Sequence, residues 1–479
     1  MAQTMLKFVN IGVEMPDKRD ANARVSDFDE IFQAFEPDAA RQQAARCSQC
    51  GIPFCQLHCP LQNNIPDWLK LAAEDRIEEA YELAQATNSF PEICGRICPQ
   101  DRLCEGNCVL EKDFSAVTIG AVERYITDTA WDRGLVRPIR PLAARAGSVG
   151  IIGAGPAGLA AAEMLRRWGY GVDIYDRHDR MGGLLVYGIP NFKLEKHIVQ
   201  RRVDHLAEGG IVFHTGFEVG RDAALDDLRR RHDCLLIATG VYKDREIQVP
   251  GVGLDHIQPA LTYLIASNRQ GLGDRVPEFE DGRLDARDKH VVVIGGGDTA
   301  MDCVRTAVRQ GAKSVRCLYR RDRDNMPGSM REVQHAEEEG VEFVWLAAPQ
   351  AFLGGTVVEA VRAVRMRLGP ADSSGRRTPE PIEGSNFALK ADLVIKALGF
   401  DPEDLPTLFG APELQVTRWG TIRVDFRTMM TNLDGVFAAG DIIRGASLVV
   451  WAIRDGRDAA AAVHRYVKAR AGGLRRKAG

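Results

Sequence analysis

The 479 residues contain no apolar run of about 18, so no membrane-spanning helix is expected. Residues 1–24 have no apolar stretch of the kind found in secretory leaders. A cytoplasmic protein without a membrane partner follows as the expectation. An excess of charge of one sign is also missing, since 62 Lys and Arg face 66 Asp and Glu for a net charge of −4. That excludes the broad basic field of a nucleic-acid binder. No low-complexity segment interrupts the chain. At ~150 residues per domain, its length points to roughly three domains.

Cysteine is present and unevenly placed. Eight of the 11 cysteines lie between Cys47 and Cys108. In a reducing compartment such a cluster argues for metal rather than disulfides. The first group is Cys47-x2-Cys50-x4-Cys55-x3-Cys59-Pro60, and the second is Cys94-x3-Cys98-Pro99-x4-Cys104-x3-Cys108. Two tetrahedral zinc sites would also use eight thiolates. The Cys-Pro pairs and tight second run favour iron–sulfur clusters, in which the last Cys of one run can serve the other cluster. Cys303 and Cys317 read as small packing residues.

Around these cysteines the pattern is helical. Trp68, Leu69 and Ala72, then Ile77, Ala80, Leu83 and Ala84, recur at near-helical spacing, with Pro66 suited to a first turn. Arg137–Pro141 reads as an extended linker. From Ser148 the texture changes to strand, glycine turn and helix. Val149–Ile152 leads into Gly153-Ala154-Gly155-Pro156-Ala157-Gly158, a G-x-G-x-x-G turn before an alanine-rich helix. Its glycines allow close approach of a pyrophosphate, and the helix N-terminus offers free N–H groups. The next strand ends in Asp176, placed to bind an adenosine ribose.

A second unit begins about 140 residues later, beyond a loop-like stretch at 271–289. Val291–Ile294 leads into Gly295-Gly296-Gly297-Asp298-Thr299-Ala300. Its second strand, 314–319, ends in Arg320 and Arg321 rather than an acid, which suits the 2′-phosphate of NADP. Two such turns in one chain suggest FAD at the first and NADPH at the second. No C-x4-C follows the first turn, and Cys303 stands alone, so no dithiol relay is visible.

These motifs, together with Met181–Pro190, Ala238-Thr239-Gly240, Ala397-Leu398-Gly399 and Ala439-Gly440-Asp441, resemble those of the small (β) subunit of bacterial NADPH-dependent glutamate synthases. The N-terminal half of dihydropyrimidine dehydrogenase is similar, and the resemblance runs from about 46 to about 460. It implies an α/β architecture: a helical iron–sulfur domain (1–145), then an FAD domain (146–288 and 411–479) interrupted by an NADPH domain (289–410). Carried over by residue, Cys47, Cys50, Cys55 and Cys108 would hold one [4Fe-4S] cluster. Cys59, Cys98 and Cys104 would hold three corners of the other. Glu123 is the candidate fourth ligand, with Cys94 its rival. Gly182, Gly183, Leu184, Thr239, Gly240, Gly440 and Asp441 would join Gly153–Gly158 and Asp176 around FAD.

The resemblance further implies that NADPH gives a hydride to FAD and that electrons leave through the clusters. The implied partner is a large (α) subunit carrying FMN, which makes glutamate from glutamine and 2-oxoglutarate. No general acid or base in this chain is needed, because the cofactors carry the chemistry. The same motifs also suit a reductase serving pyrimidine reduction or ferredoxin, a reductase whose clusters are purely structural, or a zinc-bearing scaffold that keeps its nucleotides as structural ligands.

Overall fold

The computed structural model describes residues 4–145, 147–371 and 377–477. The cysteine-rich region is helical. Helices Pro37–Ala45, Ile65–Ala73, Ile77–Thr87, Pro91–Ile97 and Ile119–Asp132 surround a core of Trp68, Leu69, Tyr81, Val122 and Ile126. Pro66 occupies the first turn of its helix, where a missing N–H costs nothing.

Two five-stranded parallel sheets follow. The first has the order Val436–Ala438, Cys234–Ile237, Ser148–Ile152, Gly171–Tyr175, Val212–His214. The second has the order Ile257–Pro259, Leu393–Lys396, His290–Ile294, Ser314–Tyr319, Glu342–Trp345. In each sheet the strand before a glycine turn lies in the centre, buried on both faces, which explains its unbroken apolar sequence. A three-stranded antiparallel sheet, Ala347–Gly354, Val358–Ala371 and Arg377–Lys390, is inserted in the second unit before its last strand.

The sheets correct one expected boundary. Strand Ile257–Pro259 pairs in parallel with Leu393–Lys396, so the second unit begins before 257 rather than at 289. Three residues without a glycine turn give too weak a signal to reveal this. The return to the first unit is also slightly earlier than 411, since Leu405 and Phe409 lie in its core.

Helix Val449–Lys477 packs against Pro156–Arg167 and completes the first unit from the far end of the chain. They approach closely at Gly456, where an added Cβ would lie 2.1 Å from the Ala157 carbonyl oxygen. Gly456→Ala must therefore push the helices apart next to the first glycine turn, at a cost of ~1–3 kcal/mol. A lowered melting temperature together with weakened FAD retention is expected. A variant melting with the parent at full flavin content would refute this reading.

Candidate functional site: a cavity shared by three units

Each glycine turn crosses a neighbouring strand end at very short range. Gly153 has φ 106°, and a Cβ there would meet the Ala238 carbonyl oxygen at 2.4 Å. Gly295 has φ 147°, and its Cβ would meet the Ala397 carbonyl oxygen at 2.2 Å. Only glycine fits either position. The helices that follow, Pro156–Arg167 and Asp298–Arg309, carry no side-chain cap, so their first N–H groups remain available to an anion.

Both turns open into one cavity of about 630 Å³. Gly153, Gly155, Pro156, Ala157, Asp176, Gly183, Leu184, Thr239, Gly240, Gly440 and Asp441 line it from the first unit. Gly297, Asp298 and Thr299 line it from the second, and Cys98, Pro99 and Gln100 from the helical domain. Ala154, Gly158, Gly295, Gly296 and Ala300, within the two turns, and Gly182, next to Gly183, do not line it. Arg320 and Arg321 stand apart: Arg320 is exposed, Arg321 donates to the Arg377 carbonyl at 3.2 Å, and neither lines the cavity.

The donor set fits a dinucleotide. Thr239 Oγ1 is buried beside the cavity without a hydrogen-bond partner. Asp176 Oδ2 accepts the Ala154 N–H at 2.7 Å, while Oδ1 accepts from the backbone N–H and ring Nδ1 of His178, both at 2.9 Å. The carboxylate thus ties the end of the second strand to the turn. Burial raises the Asp441 carboxyl to about 6.

A charged seam across the cavity was not legible in the sequence. Lys193 Nζ, from the first unit, donates to Asp302 Oδ1 of the second at 2.9 Å, and Glu332 lies 3.5 Å away. Phe192 next to it is capped by Arg305 and Arg309, at 4.5 and 3.9 Å from its ring centre. The signal was a Phe-Lys pair in a loop, which reads as ordinary surface until the second unit covers it.

The cysteines gather as two sets. Burial, then the neighbouring Cys47, Cys108 and Cys50, push the Cys55 thiol up to about 12. Cys59, Cys94, Cys98, Cys104 and Glu123 line a second, small cavity. There burial is the main cause that raises Cys59 to about 11, with Glu123 and Cys94 adding to it. Cys104 is raised by burial and by charges including Cys59 and Cys55, so the two sets adjoin. Thiols this crowded need metal cations to become thiolates at neutral pH, which is what iron supplies. Among the described residues, no three His, Cys, Asp or Glu side chains converge tightly enough for a single ion.

Burial raises the Glu123 carboxyl to about 8. Asn63 and Asn88 donate to its Oε1 at 3.0 and 3.2 Å, leaving Oε2 without a protein donor among the described residues. Cys94, the rival, lies 3.8 Å from Asn88 Oδ1. Sequence reasoning missed both asparagines. It also missed Arg46, whose guanidinium donates to the carbonyls of Ile11, Phe114, Ser115 and Ala116 beside Cys47 and Cys108.

The dihydropyrimidine dehydrogenase domain II, 4Fe-4S cluster family matches residues 24–135, which hold all eight clustered cysteines. The pyridine nucleotide-disulphide oxidoreductase family matches 147–456. The chain is 68% identical over 470 residues to the glutamate synthase [NADPH] small chain of Azospirillum brasilense, covering 98% of each. It belongs to the glutamate synthase [NADPH] small-chain family. The Escherichia coli K12 member is 44% identical, with 98% of this chain and 100% of that one covered. FprA of Mycobacterium tuberculosis, solved with NADPH, shares the fold at TM-score 0.59 and 20% identity, over 69% of this chain and 86% of its own. Membership settles iron–sulfur over zinc, and makes the chain an NADPH-dependent flavin oxidoreductase with FAD and [4Fe-4S] cofactors. No helix among the described residues is long and apolar enough to cross a membrane.

One lysine beside the Met181–Pro190 segment is held against its charge. Lys196 Nζ donates to the carbonyls of Leu185, at 3.1 Å, and Ile189, and burial pulls it from its ordinary 10.5 to about 7. Between those values the unfolded chain binds the extra proton, so this residue makes stability rise with pH from about 7 to about 10.5. Lys196→Met removes that contribution. Relative to the parent, its melting temperature should fall progressively as pH rises through this window; parallel curves would contradict the assignment.

Proposed function

We propose that this chain is the electron-input subunit of a cytoplasmic glutamate synthase. The observation that carries this reading is the shared cavity, where the two nucleotide turns and the Cys98–Gln100 segment meet. When bound, FAD would supply a hydride acceptor for NADPH and the clusters a route for single electrons. The chain's own task is to bind and orient. Gly153–Gly158, Asp176, Gly182–Leu184, Thr239, Gly240, Gly440 and Asp441 hold FAD. Gly295–Ala300 hold NADPH, with Arg320 and Arg321 at its 2′-phosphate, at the outer end of the nucleotide. Leu184 and Lys193, which line the cavity, would limit water at the reacting centre.

Two clusters are assigned. Cys47, Cys50, Cys55 and Cys108 hold one, and Cys59, Cys98, Cys104 and Glu123 hold the other. The donor-free Glu123 Oε2 favours the carboxylate over Cys94. Glu123→Ala should change the electron paramagnetic resonance of one cluster while Cys94→Ser leaves it as in the parent. The reverse pattern would make Cys94 the ligand.

The first set lies near the surface, ringed by exposed apolar side chains. Ile52 and Leu57 are 66% and 58% exposed, and Phe54 and Val109 are nearly half exposed. Apolar residues grouped around a redox centre suit a permanent protein partner. This face is the docking site for the FMN-bearing large subunit, which makes glutamate from glutamine and 2-oxoglutarate.

Anaerobic titration with NADPH tests the whole reading. Flavin bleaching should occur in the isolated chain, and glutamate should form only after the large subunit is added. Leu57→Asp should weaken that association at least about tenfold while NADPH oxidation with an artificial acceptor persists. Flavin bleaching with no effect of the large subunit would assign the reductase to another acceptor.

A further inference from the structure

One cation beside the second turn has no role in the assignment above. Between Cys98 and Cys104 the helical domain extends a loop onto Pro327–Arg331 of the second unit. Ser329 Oγ lies 3.2 Å from each carboxylate oxygen of Asp101. Arg331 donates to Gln100 Oε1 at 3.3 Å and to Glu105 Oε2 at 2.8 Å. Arg102 donates to the Pro327 carbonyl. The same segment rests on the nucleotide turn, since the Gly328 N–H donates to the Gly296 carbonyl at 3.0 Å and the Ser329 N–H to Asp298 Oδ1 at 2.9 Å.

Arg102 is thereby fixed at the wall of the cavity that Gly297, Asp298 and Thr299 also line. Asp101, Glu105 and Arg331 satisfy one another or their neighbours. Among the described residues, the Arg102 guanidinium has a single carbonyl partner, which leaves most of its five N–H donors free. A guanidinium on the same wall as uncapped helix N–H groups is suited to a diphosphate bridge, whose two phosphates carry one negative charge each.

We propose that Arg102 binds the bridging diphosphate of NADPH, so that the iron–sulfur domain completes the nucleotide site of the second unit. The inference rests on the reading that Gly295–Ala300 hold NADPH. It divides the arginines by phosphate: Arg320 and Arg321 serve the 2′-phosphate, and Arg102 the diphosphate. It also makes nucleotide affinity depend on a loop bounded by two cluster ligands.

The test is equilibrium binding of NADP⁺ and of adenosine 2′-monophosphate, which lacks the diphosphate, to the intact holoprotein by titration calorimetry. Arg102→Ala should weaken NADP⁺ about tenfold and leave adenosine 2′-monophosphate within about twofold. The double variant Arg320→Ala, Arg321→Ala should weaken both. Flavin and iron contents equal to the parent's show that the loop is intact. If Arg102→Ala loses iron, Arg102→Gln, which retains a donor for the Pro327 carbonyl, gives the same comparison. Unchanged NADP⁺ binding at position 102 with loss in the double variant overturns the Arg102 assignment alone. Unchanged binding in all variants overturns the nucleotide assignment as well.

Discussion

Buried guanidinium–carboxylate pairs hold the three units in one relative position, and the shared cavity exists only in that position. Arg202, in the first unit, grips Glu92 of the helical domain with bonds of 2.7 and 2.9 Å. Arg24, in the N-terminal segment, lies 3.0 Å from Glu339 of the second unit. Glu339 also receives Arg305 and Arg309. Burial alone would favour its neutral form, yet hydrogen bonds from Arg309 and Arg305 bring it down to about 2. Such pairs add little net stability compared with apolar packing, but forked geometry fixes an alignment that a greasy seam would let slide. For cofactors that must exchange electrons, alignment is the property that matters.

The same reasoning explains the thiols. A small helical domain gathers eight cysteines, two buried and six half-buried, that without iron repel one another as thiolates and crowd as thiols. Glu123 is a ninth acidic group in that space, held by two asparagine amides. Arg46 offsets part of the charge next to the first set, yet spends its donors on backbone carbonyls. The domain is therefore shaped around a charge that the protein does not itself provide.

What could be read from the sequence was local. A glycine turn after an apolar strand carries its reason within ten residues, so both dinucleotide units and their central strands were legible. Cysteine spacing was legible for the same reason. Features built from distant segments were not. Lys193 acquires meaning only when Asp302 is folded over it, and Arg102 only when Pro327–Arg331 meet the cluster loop. Asn63 and Asn88 look like turn residues until Glu123 is placed between them. Strand Ile257–Pro259 was hidden because three residues ending in proline resemble a loop; pairing along one edge makes them a strand.

The first sheet is completed by Val436–Ala438, and its turn is backed by the helix beginning at Val449. Both are made after the entire second unit. During synthesis, strand Cys234–Ile237 therefore emerges with one edge unpaired, and stays so while some two hundred residues are added. Domains that are contiguous in the chain can fold as they leave the ribosome. The helical domain and the inserted unit have that opportunity, whereas the flavin unit does not. Flavin capture becomes a late step of biogenesis, and a ribosome stalled between the second unit and Val436 would hold a chain with its clusters' domain formed and its flavin cradle open.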